Sequence, residues 1–244
     1  MLQKTLLIGV GIVIAPLAFV LAQPPAAPAP PVSITLGPRH GQVTPNRSGF
    51  SHTGGGNIDV SQPAPDTIIA TMTGVAVAGG HPCKNSVAEL VFDLNQCFDV
   101  SFDKPEVKKA KLTIEGRVIG LLRSHHKGGG SAQEGPGCAS VGVDSVVMVS
   151  LNLPSHSVTC GEDLSINDRE GPLEVPITPG KYTLHQSFTV SATHPRSLAP
   201  CKAASAEFAP DPALDPLWIS YWEPFHGAIK KDFGFQIIVK VVPD

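Results

Sequence analysis

From Thr67 onward, apolar and polar residues alternate along the chain with a period of two. Leu90, Phe92, Leu94, Phe98, Val100 and Phe102 share one parity, and Glu89, Asp93, Asp99 and Asp103 hold the other. Ala110, Leu112, Ile114, Val118 and Leu122 alternate with Lys111, Thr113, Glu115 and Arg117. Val143, Val147, Val149, Leu151 and Leu153 repeat the spacing, as do Tyr182, Leu184, Phe188, Val190 and Ala192. A further run from Phe233 to Val241 closes the chain, and Ile68–Ala78 forms an earlier one. Period two turns every second side chain to one face of a strand, so each run predicts a strand with one face in a core. None carries apolar residues at the i, i+3, i+4, i+7 spacing of a helix.

Half-buried antiparallel strands need a second layer to cover their apolar faces. The prediction is an all-β fold, a two-layer antiparallel β-sandwich of Ig-like or jelly-roll-like kind, spanning residues 67–244. At about 180 residues, such a domain buries about 70% of its unfolded surface, enough for a core of its own. Pro179-Gly180-Lys181-Tyr182-Thr183-Leu184 has the turn-then-strand form common in sandwich domains. The 88–102 run is long for one strand, and a turn at Asn95-Gln96-Cys97 would pair Leu94 with Phe98 and Phe92 with Val100. A hairpin is the preferred reading over a single bent strand. Gly116 and Gly120, on the inward parity of their run, would permit a kink or a close approach of the opposite sheet.

The N-terminal part differs. Lys4 precedes an apolar stretch that ends in Val20-Leu21-Ala22, so residues 1–22 read as an export signal. The competing reading is an uncleaved anchor of 18 residues, Thr5–Ala22, at the lower limit for a span. Residues 23–66 hold nine prolines and the Gly54-Gly55-Gly56 triplet, and are expected to form a largely irregular tether. The chain is thus placed outside the cytoplasm: secreted, periplasmic or at a cell surface.

Composition narrows the picture. Gly and Pro, 24 each in 244 residues, with only 16% charged residues, exclude a coiled coil and a charge-driven disordered chain. The formal net charge is −3 and Lys and Arg form no stripe, so nucleic acid is not an expected partner. The five cysteines, at 83, 97, 138, 160 and 201, all follow the signal, and an oxidising compartment makes disulfides the default expectation.

No catalytic signature is present: no G-x-S-x-G, H-E-x-x-H, Walker loop or G-x-G-x-x-G. Acidic residues fall on outward parities, without a pair in a cleft. Loop order supplies the remaining candidates. If 154–180 only reverses the chain, the strands near 109–123 and 181–193 end at the same place, which makes loops 124–138 and 193–205 neighbours. That predicts a disulfide between Cys138 and Cys201. It also groups His125 or His126 with His194 and His81, a set of imidazoles suited to zinc or copper. Solvated loop histidines are the simpler alternative.

Trp218, Tyr221 and Trp222 stand in the aromatic segment 215–225. Flat rings with polar edges suit stacking on sugars or anchoring a protein contact, whereas a crossover bounded by Pro216 and Pro224 also suits a plug for the core. Three functions follow in order: an exported noncatalytic sandwich that binds a surface, matrix or envelope component; a carbohydrate-binding module using the aromatic face; and a metal-dependent exported enzyme. The partners expected are a glycan or another envelope or extracellular protein.

Overall fold

The computed structural model describes residues 30–49, 51–79, 85–124, 130–159, 161–194, 204–208 and 234–244. These form thirteen strands and no helix, arranged as two antiparallel sheets packed face to face. The expected β-sandwich is what the chain builds. In sheet A, β1 (Val32–Gly49) pairs with β4 (Ser86–Phe102), and β4 with β11 (Gly180–His194). The far side of β11 is shared end to end by β6 (Ser131–Glu134) and β7 (Gly137–Val143), which carry β9 (His156–Thr159) and β8 (Val146–Leu153) in turn. In sheet B, β10 (Asp163–Ile177) pairs with β5 (Ala110–Ser124), and β3 (Thr67–Gly79) pairs with β2 (Ser51–Ala64). Between β5 and β3 lie β12 (Ala204–Phe208) and β13 (Gly234–Pro243).

Alternation decides which face is sealed. Phe92, Ile114 and Phe188 are buried between the sheets, together with Leu90, Leu94, Phe98, Leu112, Val118, Leu184, Val190, Ile237 and Val239. Phe188 of sheet A bridges the layers, with its ring 6.2 Å from Phe92 and 5.4 Å from Phe235 of β13. Removing such side chains from water supplies the main drive for stacking the sheets. Gly116 is the close approach that the inward glycines permit: a Cβ there would meet Leu151 Cδ1 of β8 at 2.7 Å. At the start of β11, the Tyr182 hydroxyl donates to Thr178 O at 2.6 Å and accepts from Thr178 N at 3.3 Å, pinning the turn that leads into the strand.

Three expectations are corrected. First, β4 is one continuous strand of 17 residues rather than a hairpin. β11 pairs along it through Asn95–Cys97 and β1 through Asn95 and Gln96, with the β1 bulge opposite Cys97, and Gln96 points inward, 2% exposed. Its amide donates to Gly37 O at 3.0 Å and Cys97 O at 2.6 Å, filling the gap left by the β1 bulge between Leu36 and Arg39.

Second, residues 32–49 and 51–64 are two edge strands, not an irregular tether, so the sandwich already includes Val32. An edge strand is held by a backbone ladder on one side and does not need an apolar stripe of full length. Gly37-Pro38 and Gln62-Pro63 fall at the register shifts of β1 and β2, where a missing N–H costs no ladder bond.

Third, residues 154–180 do more than reverse the chain, since they contain β9 and the 15-residue edge strand β10. The 143–153 run is also divided. Asp144 (φ 47°) and Ser145 (φ 66°) make a two-residue turn between β7 and β8. That backbone matches the right-handed twist of the hairpin.

Candidate functional site

The strand ends that border 125–129 and 195–203 lie at one end of the sandwich, although most of 130–138, expected as loop, is strand. Ser124, at the end of β5, pairs with Ala204; Ser131, at the start of β6, pairs with Thr193. Ser86 and Thr159 join the same end through His194 and Ser131. His81, His125 and His126 lie outside the described residues, as does Cys201. His194 is the last residue of β11, turned inward and 1% exposed, opposite Ser86. Among the described residues, no group of three or more His, Cys, Asp or Glu is arranged to hold a metal ion.

Cys138 and Cys97 are free thiols on the outer face of sheet A. Cys138 is the second residue of β7, and β6 stands between it and residues 125–129. Its ladder partner Ser187 is six residues before Thr193, about 20 Å from the end where residues 195–203 depart. Trp218, Tyr221 and Trp222 also lie outside the described residues; the residues that bracket their segment are Phe208, paired with Gly74, and Gly234, paired with Ile119.

A group that the sequence reading did not assemble lies inside one flank. Glu134 of β6 shares the inward parity of Ala132 and is fully buried. Its cross-strand neighbour is His156 of β9, whose Nε2 is 2.6 Å from Asp168 Oδ2 of β10. The His156–Asp168 hydrogen bond therefore ties the edge of sheet A to the edge of sheet B, with Glu134 beside it. Among the described residues, neither Glu134 oxygen has a hydrogen-bond partner. Burial, with the Asp168 charge adding to it, pushes the Glu134 carboxyl up to about 8. It is consequently a neutral acid at pH 7. Acid–base chemistry on a substrate would require this flank to open, because Glu134 is closed from solvent. The signal available in the sequence was slight: one acid on the parity of Ala132 in a four-residue strand.

The outer faces are open. On sheet A, β11 presents Thr183, His185, Ser187, Thr189, Ser191 and Thr193 in one row, about 7 Å apart. Beside them β4 presents Glu89, Val91, Asp93, Asn95, Cys97 and Asp99, and β7 presents Cys138 and Ser140. His185 Nδ1 lies 3.1 Å from Asn95 Oδ1. On sheet B, a shallow groove of about 370 Å³ runs over β10, β5 and β13 between Asn167, Arg169, Glu115, Arg117, Gln236 and Ile238.

The chain matches no known protein family and no curated protein.

Proposed function

We propose that this chain is an exported, noncatalytic β-sandwich that binds a surface, matrix or envelope component through the outer face of sheet A. The observation that carries the reading is the β11 row. Six hydroxyl or imidazole side chains project from one central strand, and β4 and β7 extend the polar surface on both sides. Short side chains with few rotamers lose little entropy on contact. Strands of 15 and 17 residues make this face about 50 Å long, a shape suited to an extended polymer rather than a small molecule. A glycan is the partner best matched to a row of hydroxyls and amides, because each sugar offers donors and acceptors at similar spacing.

The test is co-sedimentation of the purified full chain with insoluble cellulose, chitin and cell-wall sacculi. Ser187→Arg and Thr189→Arg place bulk on the outer face without touching the core. Wild type is expected to pellet with at least one polymer, and both variants to stay in solution at an unchanged melting temperature. A wild type that pellets with none of them, or variants that bind equally well, would overturn the reading.

A further inference from the structure

The groove on sheet B holds a charge arrangement that its sequence partners do not balance. Arg169 of β10 and Arg117 of β5 are direct cross-strand partners, and both point outward. Like charges at this position repel and weaken the strand pair. Glu115 meets one of them: its Oε1 lies 2.8 Å from Arg169 Nε. That contact occupies the inner nitrogen of Arg169, fixes the direction of its side chain, and leaves the outer nitrogens of the guanidinium for another acceptor. Arg117 forms no ion pair among the described residues, and its side chain lines the same groove. The groove thus carries two guanidinium groups and one carboxylate, a net positive spot on a chain whose formal charge is −3.

The rest of the groove narrows the ligand. Gln236 of β13 is the partner of Arg117 on its other side, so the row reads Arg169, Arg117, Gln236 across three strands. Asn167 stands one outward position from Arg169, adding a second amide at the rim. Ile238, cross-strand partner of Glu115, adds an apolar side chain. Guanidinium forks recognise planar oxyanions through paired N–H donors, amides pair with hydroxyls, and an aliphatic side chain can lie against the carbon face of a ring.

We infer that this groove binds the carboxylate of an acidic glycan, with Arg117 and Arg169 clamping the carboxylate and Asn167 and Gln236 bonding the ring hydroxyls. The ligand would sit between the two guanidinium groups and relieve their repulsion. This site lies on sheet B and does not depend on the sheet A face proposed above.

Isothermal titration of the full chain with galacturonate trimer tests the inference, with neutral galactose trimer and inorganic phosphate as the other arms. The acidic trimer is expected to bind with an affinity that falls as salt rises, and the neutral trimer to give no heat. Arg117→Gln and Arg169→Gln change exposed side chains and are each expected to weaken binding by about tenfold or more, the loss of a charged hydrogen-bond pair. Thr189→Arg, on the other sheet, is expected to leave this binding intact, which separates the two sites. Wild-type affinity in both glutamine variants would overturn the assignment. So would binding of phosphate but not the acidic trimer, or no binding of the trimer by wild type.

Discussion

Phe92 of β4 crosses the interior to lie against Gly74 of β3, where a Cβ would stand 2.5 Å from Phe92 Cζ. Gly74 is the ladder partner of Gly56 in β2, and a Cβ on Gly56 would also collide with the Phe92 ring. The two glycines form a notch on sheet B into which one ring of sheet A is fitted. Gly54-Gly55-Gly56, which reads as flexible linker in the sequence, is therefore part of the packing.

The notch predicts a coupled pair. Gly74→Ala should lower stability in urea unfolding by about 1–3 kcal/mol, because the added methyl overpacks a full interior. In a Phe92→Leu background the same change should cost less, since the smaller side chain gives the methyl room. Additive losses in the double variant would contradict the contact.

Glu134 predicts an uncommon pH dependence. Its carboxyl is raised from 4.5 to about 8 in the folded chain, chiefly by burial and secondarily by Asp168. Between these values the unfolded chain has released the proton and the folded chain has kept it. The unfolded state then binds fewer protons, so this group's contribution to stability falls as pH rises from about 4.5 to about 8 and levels off above. Glu134→Gln keeps the shape and removes the ionisation. The variant should gain about 1–3 kcal/mol over wild type at pH 8 and lose most of that advantage at pH 4, read from urea unfolding at both values. A gain that does not change with pH would contradict the assignment.

Much of the core was legible because each sheet buries one face and leaves the other to solvent, which enforces strict alternation. Phe92, Ile114 and Phe188 obey it and are 1%, 0% and 2% exposed. The edges were not legible. Arg39–Pro45 in β1 is largely exposed, and Asp163–Arg169 in β10 alternates only weakly, since each strand has one ladder neighbour and a partly wetted inner face. Gln96 broke the parity of its run because a polar side chain was required at the β1 bulge. The polar flank escaped notice for a related reason: His156 and Asp168 meet only when the edges of two sheets come together, 12 residues apart in sequence but on different layers. The strand ends near Ser124 and His194 do share one end, but not for the reason read in the sequence: β9 and β10 add a pair of opposite passes, which leaves the direction of β11 unchanged.

The β7–β8 turn offers a gain. Ser145 holds φ at +66°, a conformation that costs an L-residue about 1 kcal/mol relative to glycine. Ser145→Gly should raise stability by about 0.5–1 kcal/mol without altering either sheet face, measured as a shift in the urea midpoint at constant slope.

The central claim is one sandwich that already includes Val32, with β4 unbroken in the middle of sheet A. Residue-level amide hydrogen exchange on the full chain tests it most directly. Protection is predicted throughout β4, including Asn95 and Gln96, which have partners in both neighbours, and Cys97, which pairs with Thr183 of β11. In β1, which has one ladder neighbour, protection should alternate from residue to residue. Fast exchange at residues 95–97, or through the whole of 32–49, would contradict the account.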